Sequence, residues 1–183
     1  MRIITGKFRG KQIHPPVNLP VRPTTDFAKE SLFNILNNLV DIEGLHVLDL
    51  FAGTGSISYE FFSRGCEMVT AIDIEPHCVA FINKTALSMN AENLEAVRED
   101  VFQFLKHPFG EYDLVYADPP YDMAGIDLLP DLVLNNRILK EEGLFILEHS
   151  RDHDFSQHPC FDQHRKYGNV NFSFFRKQKA TNN

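Results

Sequence analysis

The chain has 183 residues, 43% of them hydrophobic, and a formal net charge of −7 at neutral pH. That length and composition suit one domain with a full apolar core, expected over residues 1–183, and argue against a disordered or fibrous chain. No apolar run reaches the roughly eighteen residues of a membrane-spanning helix, and the basic start lacks the apolar stretch of a secretion signal, so neither is expected. Cys66, Cys78 and Cys160 are scattered and odd in number, which fits buried thiols in a reducing cytoplasm better than a disulfide framework.

The charge is unevenly spread. Residues 1–30 balance to +4 and residues 151–183 to +3, leaving −14 on the segment between them. If the basic ends meet beside an active-site face, they make a polyanion-facing patch on an acidic body; a solvated edge hairpin and a frayed tail are the plainer reading.

Arg2 to Ile13 alternates loosely, with Lys7, Arg9 and Lys11 at period two, so a basic hairpin or extended arm is expected, with those three on one face. Pro15, Pro16, Pro20 and Pro23 forbid helix and make residues up to 23 an extended connector, with the catalytic core over 24–183. Thr24, Thr25 or Asp26 then caps a helix whose apolar stripe runs from Phe27 through Leu32, Phe33, Ile35 and Leu36 to Leu39. From Leu45 the pattern is strand and helix in alternation. Strands are predicted at Leu45–Leu48, Met68–Ile72, Leu94–Arg98, Tyr112–Ala117 and Leu144–Leu147. Helices are predicted from Ser56 to Gly65, from Pro76 to Asn90, over Val101–Leu105 and over Leu128–Leu139. Phe161–Tyr167 and Asn171–Arg176 flank Gly168-Asn169 as an antiparallel hairpin.

The chemistry concentrates at strand ends. Asp49-Leu50-Phe51-Ala52-Gly53-Thr54-Gly55 reads as a buried strand breaking into a glycine turn, the position where open α/β sheets bind ligands. A dinucleotide fingerprint wants a third glycine three residues after Gly55, and Ser58 stands there, which points to a different nucleoside cofactor. Asp73 ends the next strand about twenty residues on, where an acid can accept both hydroxyls of a ribose. Asp118-Pro119-Pro120-Tyr121 ends a later strand; a proline turn alone explains the prolines but not the flanking acid and aromatic.

Together these motifs resemble the S-adenosylmethionine-dependent methyltransferases that act on amino groups. Arg2-Ile3-Ile4-x-Gly6-Lys7-x-x-Gly10, Arg22-Pro23-Thr24-Thr25-Asp26 and Leu32-Phe33-Asn34-Ile35-Leu36 narrow the resemblance to the bacterial guanine-N2 methyltransferases of 16S ribosomal RNA, over essentially the whole chain. The resemblance implies a Rossmann-like α/β fold with a seven-stranded sheet of order 3-2-1-4-5-7-6. Only strand 7 would be antiparallel, with helices on both faces and an added N-terminal basic β-hairpin. It implies S-adenosyl-L-methionine as cofactor, held by Asp49 at the ammonium, by Phe51, Ala52, Gly53, Thr54 and Gly55 along the turn, by Asp73 at the ribose and by Asp100 and Val101 at adenine, with Ile74 also among the cofactor-binding residues. Asp118, Pro119, Pro120 and Tyr121 would be catalytic, and Arg2, Lys7, Arg9, Lys11 and Arg22 would contact RNA. The implied partner is 16S rRNA or a small-subunit assembly intermediate, with no membrane, no metal, a monomeric state and a cytoplasmic location. Phe27-Ala28 departs from the family, whose members tend to carry a basic residue after Asp26.

Alternatives stay open at this stage. DNA N6-adenine methyltransferases use the same Asp-Pro-Pro-Tyr logic, although they usually carry a target-recognition domain for which this chain has no room. A non-catalytic RNA-binding or assembly factor retaining the fold is a second rival. A nicotinamide oxidoreductase is disfavoured by Ser58, a hydrolase by the lack of a Gly-x-Ser-x-Gly elbow, and a metal site at His149, His153 and His158 by the lack of a ligand pattern.

Overall fold

A computed structural model describes residues 1–17, 19 and 25–178. Seven strands form one sheet: β1 (His46–Leu50), β2 (Met68–Asp73), β3 (Leu94–Arg98), β4 (Tyr112–Ala117), β5 (Leu139–His149), β6 (Phe161–Tyr167) and β7 (Val170–Arg176). Their order is 3-2-1-4-5-7-6. β1 pairs in parallel with β2 and β4, β2 with β3 and β4 with β5, whereas β7 runs antiparallel to both β5 and β6. The expected fold class and order are therefore met.

The strands are apolar on both sides because helices cover both faces. Helices α1 (Asp26–Leu36), α2 (Ser56–Ser63) and α3 (Pro76–Ser88) bury Phe33, Phe61 and Ile82 against Val47, Leu114 and Ile146. On the other face α4 (Val101–Lys106) and α5 (Leu129–Leu134) bury Phe104 and Val133 against Leu48, Val115 and Phe145. Thr25 is the residue that caps α1, its hydroxyl accepting from the Ala28 N–H, and Glu75 caps α3 with Pro76 in the first turn.

Two expectations need correction. The helix predicted over Leu128–Leu139 is a 3-10 turn at Ile126–Leu128 followed by α5, and it stops at Leu134. Leu139 already belongs to β5, opposite Tyr112, and the register slips before Leu144 meets Leu114. Lys140 to Gly143 form the bulge, with Glu142 at a left-handed φ of 61°. Its N–H donates to the Lys177 carbonyl, so a backbone partner from outside the strand holds the irregular segment in the sheet.

The N-terminal arm is the second. Its hairpin is a single antiparallel bridge between Arg2 and Gln12 around a tight turn, so Lys7, Arg9 and Lys11 do not share a strand face. Instead the turn is nailed to α2. The fully buried Glu60 carboxylate accepts the N–H groups of Ile4 (2.8 Å) and Thr5 (3.0 Å) and pairs with Arg64 at 2.8 Å. Lys7 N–H donates to the Ser63 carbonyl at 2.7 Å. At Gly6, φ is +84° and a Cβ would lie 1.8 Å from that same carbonyl oxygen, so only glycine permits the approach. Gly6→Ala is expected to undock the arm and lower stability by at least ~2 kcal/mol, since both the backbone conformation and a backbone contact are lost. Denaturant unfolding, with hydrogen exchange at Ile4 and Thr5, measures it; unchanged protection at those amides would contradict the docking role of Gly6.

Candidate active site

The chain runs outward from β1 through β2 to β3 and then returns to place β4 on the other side of β1, and a crevice opens at the carboxyl end of β1. The cleft there measures about 580 Å³, within the ~300–1,000 Å³ of small-molecule sites. It is lined by the turn after β1, the ends of β2, β4 and β5, the starts of α1 and α4, and Asn169-Val170 of the β6–β7 hairpin. A second depression near Thr5, Gly6 and Asn37–Glu43 is wide open and contains none of the strand-end residues.

The turn bends through Phe51, a bulky residue at φ 63°, and Gly53 and Gly55 at φ 54° and 81°. A left-handed phenylalanine is a strained feature of the kind that collects at binding sites. A Cβ on Gly55 would stand 2.9 Å from Ile82 Cγ1 and 3.0 Å from the Tyr59 ring, so a side chain there would push α3 away. Asp73 ties the turn to β2: its Oδ2 accepts the Gly53 N–H at 2.7 Å and its Oδ1 the Glu75 N–H at 2.8 Å. Each carboxylate oxygen offers about two acceptor sites, so both keep capacity for a ligand diol. Ile74 follows as a 62%-exposed apolar shelf. Asp100 caps α4 through Oδ1, which accepts the Gln103 N–H at 2.9 Å, and Val101 lies beside it in the cleft wall.

Asp49 and Gly55 do not reach the cleft wall. Asp49 is 1% exposed beneath the turn, and the Ser58 hydroxyl donates to its Oδ2 at 2.5 Å. The serine at the third-glycine position therefore supports the acid of the motif. Burial pushes the Asp49 pKa up to about 7; the Ser58 hydrogen bond opposes this and the nearby Asp73 charge adds to it.

The structure brings Asp118, Pro119, Pro120 and Tyr121 to the same cleft. It also adds residues the sequence reading missed. Glu148, on β5, is 6% exposed and lines the cleft. Its Oε2 accepts from the Tyr116 hydroxyl at 2.8 Å and its Oε1 from Tyr121 at 3.0 Å. Burial, reinforced by the Glu148 charge, holds the Tyr116 phenol well above its usual range, so it remains a donor. Successive side chains of β5 point to opposite faces, which places that acid on the face of Leu144 and Ile146. Lys29, also missed, is 1% exposed; its Nζ donates to the Arg2 carbonyl and to Ser56 Oγ, joining arm, α1 and α2. Burial lowers its pKa against the attraction of Glu60 and Asp26.

The basic residues are dispersed. Arg2 pairs with Asp26 at 3.4 Å and Glu30 at 3.6 Å near the start of α1. Lys7 lies over the Phe8 ring beside Ser63, about 10 Å along α2 from Ser56 at the cleft, by the rise per residue of a helix. Arg9 and Lys11 are exposed on the same turn, and Arg22 lies outside the described residues. Arg176 and Lys177 donate to the carbonyls of Leu39 and Leu139 at the opposite end of the sheet. His149 donates from Nδ1 to the Ser150 carbonyl and accepts from Ser173, and no group suited to a metal ion occurs among the described residues.

The lining carries the acids Asp73, Glu75, Asp100, Asp118 and Glu148 and, among the described residues, no lysine or arginine. That donor set repels a pyrophosphate and suits a cationic ligand with a sugar diol, which is the chemistry of S-adenosylmethionine. A family model described as "Conserved hypothetical protein 95" matches residues 1–176. The chain belongs to that family. Ribosomal RNA small subunit methyltransferase D of Buchnera aphidicola (subsp. Baizongia pistaciae) is 32% identical over 149 residues, spanning 81% of this chain and 75% of the relative. The protein of the same name from Escherichia coli K12 is 30% identical over 148 residues, spanning 81% and 74%. A structure described as a putative methyltransferase, yhhF, from Escherichia coli superposes with a TM-score of 0.85 at 26% identity, covering 97% of this chain and 98% of that one.

The raised pKa of Asp49 links stability to pH. Folded Asp49 keeps its proton up to about pH 7, whereas the unfolded side chain loses it near 3.8. Its contribution is therefore fullest below pH 4 and is lost as pH rises toward 7. Asp49→Asn removes that loss, so its melting temperature relative to the natural protein should climb between about pH 4 and 7 and level off above; a difference independent of pH would contradict the assignment. Taking the difference cancels His149, whose burial-lowered pKa acts the opposite way by removing stability below pH 6.5 in both proteins.

Proposed function

We propose that this protein is an S-adenosylmethionine-dependent methyltransferase that modifies the N2 amine of a guanine in 16S ribosomal RNA. The observation that carries the reading is the meeting, in one acidic cleft, of the Asp73-tied glycine turn with Asp118-Pro119-Pro120-Tyr121. Ribosomal RNA as substrate is supported by the names of the relatives, and guanine N2 by the family resemblance of the N-terminal motifs.

S-adenosylmethionine, when bound, supplies a methyl group on a sulfonium whose carbon–sulfur bond breaks with both electrons going to sulfur. Asp73 accepts the ribose hydroxyls through charge-assisted hydrogen bonds, Ile74 and Val101 border the adenine, and Asp100 accepts its amino group. Asp49 lies beneath the turn on the ammonium side, where the positive charge of the cofactor would draw its raised pKa back down and favour the carboxylate. On the substrate side the amine lone pair is delocalised into the purine ring. Asp118 and the Pro119 carbonyl each accept one amine hydrogen, which turns nitrogen electron density toward the methyl carbon. The proton shed after transfer passes to Asp118 or solvent. Pro119 and Pro120 stiffen the turn that aims these acceptors, and Tyr121 stacks on the extruded base, a contact worth roughly 1–3 kcal/mol.

The test is methyl transfer by purified protein to naked small-subunit RNA and to small subunits from a strain lacking the enzyme, followed by nucleoside mass spectrometry. N2-methylguanosine is expected. Asp118→Ala should lower kcat by about 10²-fold or more, with cofactor affinity in calorimetry unchanged. Methylated adenine in DNA, or no transfer at all, would overturn the reading.

Arg2, Lys7, Arg9, Lys11 and Arg22 are proposed as phosphate contacts. Replacing Lys7, Arg9 and Lys11 by Ala should flatten the salt dependence of RNA binding by about 0.7–0.9 of a log unit per lost contact. An unchanged slope would remove the arm from the RNA interface.

A further inference from the structure

We propose that Glu148 is the residue that selects guanine, by accepting the purine N1–H beside the amine held by Asp118; the inference rests on the guanine-N2 reading above. The geometry comes from the sheet. β4 and β5 are parallel neighbours with Ala117 opposite Leu147, so the next step puts Asp118 beside Glu148, one strand spacing of about 4.8 Å away. Tyr116 of β4 and Ile146 of β5 share one face, where Tyr116 bonds Glu148, and Asp118, one residue beyond β4, stands two residues after Tyr116 as Glu148 stands two after Ile146. Both carboxylates line the cleft.

Glu148 is held as an acceptor. The buried Tyr116 hydroxyl and the Tyr121 hydroxyl each donate to a different oxygen of it, which fixes the plane of the carboxylate, a group that can accept at about four positions. Two acceptors side by side complement an edge that presents two donors in a row. Guanine has that edge, N1–H next to the N2 amine. Adenine presents an N1 lone pair next to its amine, so the same placement sets a lone pair against a carboxylate and is repulsive. Asp-Pro-Pro-Tyr alone is compatible with either amine, and the second carboxylate is what separates them. Tyr121 links the two tasks, because the ring proposed to stack on the base is anchored by the acid proposed to read its edge.

A purine carrying the amine but not the N1–H isolates this contact. Small subunits are reconstituted with ligated RNA holding either guanosine or 2-aminopurine riboside at the modified position, and kcat/KM is measured for both. The natural protein is expected to favour guanosine about 10–100-fold, the range of a hydrogen bond to a charged group. Glu148→Gln keeps the shape and offers an amide N–H₂ to the bare N1, so its preference should narrow at least tenfold. Glu148→Ala should narrow it as well, with slower transfer to both. Intrinsic base reactivity is common to both proteins and the folded fraction to both substrates, so the change in ratio between proteins isolates position 148. An anchor for Tyr121 alone would slow both substrates equally. A Glu148→Gln ratio equal to that of the natural protein would overturn the inference, and so would equal rates on the two RNAs by the natural protein. Absence of N2-methylguanosine from the guanosine-bearing subunits would instead overturn the underlying functional reading.

Discussion

Parallel pairing of β1 with β4 is the constraint on which the cleft depends. It sets the end of one βα unit beside the start of the next series, and everything that lines the crevice is a strand end or the turn that leaves it. The burial of both sheet faces follows from the same arrangement, because crossover helices must lie above and below parallel strands. With the strand ends fixed, function reduces to which side chains occupy them. Here they are acids: Asp73 on β2, Glu148 on β5, and Asp118 and Asp100 one or two residues beyond β4 and β3.

Buried polar groups in this molecule hold elements together. Glu60 gathers two backbone amides and an arginine, Lys29 gathers a carbonyl and a hydroxyl, and Asp49 takes the Ser58 hydroxyl. Each satisfies donors or acceptors that would otherwise cost ~1–3 kcal/mol apiece in a dry interior. All three lie on the α1–α3 face, which thereby supports the glycine turn after β1 and the N-terminal arm together.

Periodicity and glycine placement made the strands, the region of the α1 cap and the ends of α2 and α3 legible in the sequence, whereas the strand order came from the family resemblance. Strand-end acids marked Asp73, Asp100 and Asp118 for the same reason. The long β5 was not legible, because Lys140 to Gly143 are polar and glycine-bearing and meet the backbone of Lys177, supplied from the far end of the chain, through Glu142 and Gly143. The arm misled differently. Period-two lysines suggested a strand, but Gly6 and Gly10 close a turn whose partner is a helix carboxylate, a contact 56 residues away in sequence. Lys29 and Glu148 stayed hidden because a lysine on a helix and a glutamate on a strand usually face water, and only the tertiary contacts reveal that these two do not.

The hairpin of β6 and β7 carries a consequence for biosynthesis. Asn169 and Val170 form part of the cleft wall, and β7 wedges between β5 and β6 to put them there. Those two are translated after every other residue of the wall. A nascent chain can thus assemble the turn after β1 while the cleft is still missing a wall. The complete cleft arrives only when that last hairpin clears the exit tunnel and inserts.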